Sequence, residues 1–291
     1  MNRKAELILS VPANRLPRSL VSRKQGTSPS PGLGSLVRGL FHHRALVSAL
    51  LGRQLKTRYR GSVLGFAWTF LNPLLLMAVY ALVFSFYLRI AVPNYAVFVL
   101  AGLLPWIWFS SALSEGTASV LGGGALVTKS VFPAEILPTV VVLNHMVNFL
   151  LSLPLLVAAI LLYGITPNPA LWLCFPLVLL LQFGFTLGLV LAVSALNVHY
   201  RDVQHIVANV LLLWFFLCPI VYPVSQVPEA VRPFMALNPM GLFAELYQKL
   251  LVEMQWPGVE VFGILAAHSA IALLLGVWIF NAYRDSFAEL V

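Results

Sequence analysis

From Ile136 to Tyr200 the chain carries no Asp, Glu, Lys or Arg. A soluble fold places ionised side chains on the wet face of each element, so an uncharged run this long excludes water as the surrounding solvent. The run is also too long for one membrane crossing, which takes about 20 apolar residues. "YGITPNPA", Tyr163 to Ala170, interrupts it with Gly and two prolines, which break helices. Two spanning helices joined by a tight turn are expected.

The remaining sequence agrees. Of 291 residues, 60% are hydrophobic and 10% charged, against roughly 45–50% and 25% in soluble domains, which marks an integral membrane protein. Uncharged stretches near spanning length occur at Phe66 to Leu88, Tyr95 to Leu113, Ile136 to Tyr163, Ala170 to Leu196, Ile206 to Tyr222 and Val261 to Phe280. The expected fold class is all-α, with six transmembrane helices. Twelve of the 18 Lys and Arg residues lie at or before Arg60, so the positive-inside rule puts both termini in the cytoplasm. Lys129, Arg201 and Arg284 then share that side, with Arg89, Arg232 and Lys249 opposite. A basic block beside apolar spans suits anionic lipid headgroups rather than nucleic acid.

Three regions follow. Residues 1–34 lack the apolar core of a signal peptide and read as a flexible cytoplasmic extension. Residues 35–60 place Leu36, Leu40, Val47, Leu50 and Leu51 near one helical face, with Arg38, His42, Arg53 and Lys56 largely opposite. That pattern is an amphipathic helix lying in the interface, as an anchor, a route for substrate, or both. Residues 61–291 form the six-span domain. Within it Pro223 to Glu260 falls on the outer face, where Phe234, Leu237, Met240, Phe243, Leu246 and Leu250 between Pro228, Pro233 and Pro239 suggest two short re-entrant helices. Such backbone is tolerated at membrane depth only under protein or a water-filled cavity, so this segment is expected to cap a conduit.

"LGGGALVTKS", Leu121 to Ser130, comes close to the phosphate-cradling pattern G-x-x-x-x-G-K-[ST]. Gly123 fills the first position, but Thr128 stands where the second Gly belongs. Two spanning helices bracket the stretch and leave no room for the sheet that a nucleotide loop needs, so its glycines read as a lead into "VFPAEILP". Catalysis at depth is not expected either: the six stretches hold no Asp or Glu, and their histidines are His145 and His268. Cys174 and Cys218 lie in apolar runs as small hydrophobes. Gly184, Gly188, Ala192 and Ala195 recur at helical spacing and indicate close helix packing.

Five blocks, in order, resemble one family. They are "RYRGSVLGFAWTFLNPLLLM" (Arg58 to Met77), "VTKSVFPAEILP" (Val127 to Pro138), "LNVHYRDVQHI" (Leu196 to Ile206), "LNPM" (Leu237 to Met240) and "FNAYRDSFAEL" (Phe280 to Leu290). They resemble the transmembrane permease of ABC-type polysaccharide and polyol phosphate exporters, which move O-antigen, capsule or teichoic acid chains. The sequence departs from that pattern in residues 1–34 and at Ala134, where relatives often carry a basic residue.

The resemblance implies a homodimer in the bacterial cytoplasmic (inner) membrane, served by two copies of a cytoplasmic ABC ATPase and carrying a lipid-linked polysaccharide. ATP and Mg would sit on that partner, with no cofactor on this chain and no enzyme activity of its own. It assigns ATPase coupling to Lys129, Phe132, Pro133, Glu135, Arg201 and Asp202. Lys56, Arg58, Tyr59 and Arg60 would meet the substrate phosphate at the inner headgroup layer. Trp68, Phe70, Tyr80, Trp106, Trp108, Phe109, Trp214 and Phe215 would offer ring faces to sugars along a channel. Plainer readings stand beside each: Phe132 and Pro133 start a span, the basic residues anchor the helix, and the rings form interface belts. A drug or lipid exporter of the ABC type and a membrane enzyme that modifies glycans are the alternatives.

Overall fold

The computed structural model describes residues 32–59, 61–89, 92–127 and 133–290. Every regular element among them is helical. The chain opens with α1 (Leu33–His42) and α2 (Arg44–Tyr59), then α3 (Trp68–Tyr80), which continues as a wider π-helical turn over Ala81–Tyr87. Next come α4 (Tyr95–Thr117), the short α5 (Ser119–Gly122) and α6 (Gly124–Val127), and α7 (Ile136–Leu162). They are followed by α8 (Pro169–Trp172), α9 (Phe175–His199), α10 (Val203–Leu217), α11 (Arg232–Met235), α12 (Pro239–Gln248), α13 (Val259–Tyr283) and α14 (Phe287–Leu290).

Five stretches are long and apolar enough to cross a bilayer: Gly65–Tyr87, Tyr95–Thr117, Ile136–Leu162, Pro169–His199 and Val259–Ser286. The stretch expected at Ile206 to Tyr222 is different, because α10 has 15 residues. At 1.5 Å per residue that covers about 22 Å, short of the roughly 30 Å hydrocarbon core. Pro219 sets the end: it has no N–H to donate and drives Cys218 into extended backbone, with ψ 139°. The expected single amphipathic helix over 35–60 is likewise two helices meeting at His43. Leu40, Val47, Leu50 and Leu51 are half-buried, and Arg38, His42, Arg53 and Lys56 are exposed.

The span expected to stop at Leu113 also differs. α4 runs on to Thr117 and takes Glu115 into the helix, so one carboxylate does lie within a spanning helix. α7 supplies the reason, since Glu115 Oε2 is bonded to His145 Nε2 at 2.8 Å.

α4 is the centre of the packing. It is apolar on all sides up to Leu113 and buries most of that length against α3, α7, α9, α10 and α12, with Ser114 and Glu115 exposed near its end. Pro105 inside it offers its carbonyl to the buried Gln182 amide of α9, at 3.0 Å. The most extensive helix pair is α9 with α13. A Cβ on Gly188 would overlap the Ala272 carbonyl, and one on Gly276 the Gly188 carbonyl, so only hydrogen at both lets the backbones meet.

After α10 the chain turns through Cys218 to Val221, which are all buried. The carbonyls of this turn and of the helix end before it need donors, and three side chains, one from α4 and two from α12 and its cap, supply them. Gln248 Nε2 donates to Pro219 O at 3.0 Å, Tyr95 Oη to Val221 O at 2.6 Å, and Asn238 Nδ2 to Leu217 O at 3.0 Å. Asn238 also caps α12 by accepting from Gly241 N at 3.0 Å, with Pro239 at the first helical position. α12 buries Met240, Phe243, Leu246 and Tyr247, whereas Phe234 and Leu237 before it are exposed.

Candidate functional site

Two arrangements of polar residues stand out in this apolar bundle. One gathers the start of α7, the end of α9 and the segment after α13. Glu135 Oε1 lies 3.9 Å from Arg284, and the other oxygen of Glu135 is buried without a partner. His199 Nε2 lies 2.9 Å from Ser286 Oγ, and its ring is 4.7 Å from the Tyr283 ring. Phe287 is buried beyond them, where α14 packs on α6 and α9.

The second arrangement runs along α7. Asn144, His145, Asn148 and Ser152 are spaced at helical intervals, so they share one face of an otherwise apolar span. His145, Asn148 and Ser152 line a cavity of about 370 Å³ together with Trp68, Thr69 and Asn72 of the first span and Trp108 of α4. Asn144 lines a larger cavity of about 740 Å³, shared with Arg53, Gln54 and Thr57 of α2, Glu115 of α4 and Ser119 of α5. The His145 to Glu115 bond therefore stands where the two cavities adjoin.

The residues expected from the sequence are distributed as follows. Lys129 and Phe132 lie outside the described residues, as do Arg60 and the side chains of Arg58 and Tyr59. Lys56 is exposed on α2, one residue before Thr57 at the larger cavity. Pro133 is half-buried beside Glu135, and Arg201 and Asp202 are exposed at the corner between α9 and α10. Glu135 and that corner are both tied to the segment after α13, through Arg284 and through His199 with Ser286.

Among the aromatic residues, Trp106, Trp108, Phe109 and Phe215 are buried in the bundle. Trp108 stacks on Phe149 at 5.4 Å, Phe109 on Phe185 at 5.8 Å and Tyr80 on Phe215 at 5.4 Å. Trp214 donates its indole N–H to Asn238 Oδ1 at 2.7 Å. Trp68 is exposed, and Phe70 is half-buried with its ring edge on Phe66. The α7 polar stripe is hidden in a charge profile, since its Asn and Ser members carry no charge. The four-residue spacing of Asn144, Asn148 and Ser152 is the signal the sequence offers.

This is a helical integral membrane protein, built around a central span, with polar side chains among those lining the cavities between its helices. Residues 45–252 match the model of the ABC-2 type transporter family. The chain belongs to that family. It is 46% identical over 258 residues to the O-antigen export system permease protein RfbA of Myxococcus xanthus, covering 87% of this chain and 98% of that protein. A Klebsiella pneumoniae protein of the same name is 31% identical over 84% of this chain and 95% of its own length. The polysialic acid transport protein KpsM of Escherichia coli is 22% identical over 85% of this chain and 97% of its own.

Proposed function

We propose that this chain is the permease subunit of an ATP-driven exporter moving a lipid-linked polysaccharide, of O-antigen or capsule type, out across the bacterial inner membrane. The observation that carries the reading is the 46% identity to an O-antigen export permease over 98% of that relative's length. In this account the chain carries out no chemistry on its substrate. Two copies of a cytoplasmic ABC ATPase bind ATP and Mg, and a second copy of the permease completes the conduit. Counting α10 with the buried Cys218 to Val221 turn gives six spans with both termini cytoplasmic, and α12 is a re-entrant outer-face helix.

ATPase closure acts on Lys129, Phe132, Pro133 and Glu135 and on the corner at Arg201 and Asp202. The contacts of Glu135 with Arg284 and of His199 with Ser286 would then carry one push into α7, α9 and α13 together. Lys56, Arg58, Tyr59 and Arg60 receive the phosphate of the lipid carrier, Arg by its fork and Lys as a point charge. Trp68, Phe70 and Tyr80 face the sugar path, and the other five rings form the packed layer behind them. Deleting the gene tests the reading: the glycan is expected to accumulate inside the cells and to vanish from the surface. Unchanged surface glycan would overturn it.

A further inference from the structure

A span that met only lipid or packed apolar neighbours would have no use for the α7 stripe, because polar groups at depth are costly and usually functional. Asn144 is 3% exposed, yet its Oδ1 has no partner and it lines the larger cavity. Gln54 Oε1, on the opposite wall of that cavity, is also buried and unpaired. A buried polar atom without a partner costs about 1–3 kcal/mol, and the two side chains that carry these oxygens line one cavity, where a ligand that donates hydrogen bonds would satisfy them once they turn toward it.

The rest of the lining narrows the chemistry. Amides and hydroxyls both donate and accept, as sugar hydroxyls do, and Trp68 adds indole surface at the smaller cavity. An acyl tail would leave the Asn144 and Gln54 amide oxygens without a donor. The lining of the smaller cavity has no Lys or Arg to receive a phosphate, and the Glu115 carboxylate bonded to His145 stands at its edge; Arg53 belongs to the larger cavity. Asn144 to Ser152 rises about 12 Å along the helix, and each cavity falls within the roughly 300–1,000 Å³ of small-ligand sites.

We propose that the groove between α7 and the walls formed by α2 and α3 binds a neutral sugar unit, held through its hydroxyls by Asn144, Asn148 and Ser152 with Trp68 as the stacking face. The site lies within one protomer and begins beside Lys56 on α2. The inference rests on the polysaccharide reading and adds where in the chain the sugar is held.

The test replaces Asn148 by a photoreactive benzoylphenylalanine in cells that make the glycan and carry the partner ATPase, with the same change at Leu161, exposed at the far end of α7, as the control. Position 148 is expected to give an adduct that stains for carbohydrate and disappears when glycan synthesis is blocked, and position 161 to give none. In parallel, Asn148→Leu with Ser152→Ala is expected to lower export about tenfold or more, the factor given by two lost net hydrogen bonds. Co-purification with the ATPase should remain. Equal adducts at both positions, adducts that persist without glycan synthesis, or wild-type export by the double variant would overturn the groove assignment while leaving the exporter reading intact. Export that does not depend on the chain at all would remove both.

Discussion

Gln248 holds the broken part of the bundle together, and replacing it tests that role directly. Its side chain is 2% exposed and its amide nitrogen lies 3.0 Å from Pro219 O, 3.4 Å from Ile220 O and 3.5 Å from Phe98 O. Gln248→Leu keeps the volume but removes the donor. The long contact to Phe98 contributes little, which leaves Pro219 fully and Ile220 partly unpaired. At about 1–3 kcal/mol per buried unpaired carbonyl the loss comes to about 2–4 kcal/mol. For a chain of this size that lowers the melting midpoint by about 4–8 °C. The assay is thermal unfolding of detergent-purified protein followed by tryptophan fluorescence. Gly102→Ala gives an independent check, because a Cβ there would lie 2.8 Å from the Gln248 nitrogen and push the amide off its acceptors. A Gln248→Leu midpoint within about 1 °C of wild type would refute the reasoning, since the unpaired carbonyls would then carry no measurable cost.

Other outcomes follow from the same structure. Gly188→Val places a branched side chain on the Ala272 backbone and should cost at least the roughly 1–3 kcal/mol of overpacking, read as reduced yield of folded protein by size exclusion. Glu253 is exposed, and partial desolvation by its neighbours raises its carboxyl above the ordinary range, with Lys249 opposing and Glu245 adding to the rise. A raised carboxyl favours the folded state while protonated, so stability should fall as pH rises above about 4.5, and Glu253→Gln should flatten that slope in pH-dependent melts. Replacing Phe132 and Glu135 together should abolish export while membrane insertion persists. Intact export and intact ATPase association in that double variant would end the coupling assignment.

The sequence locates helices well where local breakers end them, and poorly where distant partners do. Ile136 to Tyr163 is expected and Ile136–Leu162 is found, because Gly164 and the prolines after it stop the helix locally. The end of α4 is misjudged because Glu115 resembles a boundary residue, and its partner His145 lies on another helix. The apolar run through α10 conceals its early end, since Leu213 to Val221 stays apolar while Pro219 alone interrupts the hydrogen bonding. The burial of α12 depends on Gln248 finding acceptors in a turn far away in the chain. The small residues of α9 do announce close packing, and Gly188 makes it, but its partner Gly276 is identified only by the fold.

The candidate site is legible to a similar degree. Glu135 is marked by the family-like loop, whereas its tie to Arg284 and the parallel tie of His199 to Ser286 are tertiary. Aromatic residues are visible in sequence, but their burial is not: Trp106, Trp108, Phe109 and Phe215 pack inside the bundle and Trp68 reaches its surface. Rings look alike along a chain whether they face a core or a conduit.

The most direct measurement reconstitutes this chain with its ATPase in liposomes and follows the lipid-linked polysaccharide across the bilayer. ATP hydrolysis by the pair should move the glycan from one leaflet to the opposite compartment, at a rate that vanishes when the chain is omitted. Coupled ATP hydrolysis with no glycan movement, or movement that survives omission of the chain, would contradict the account.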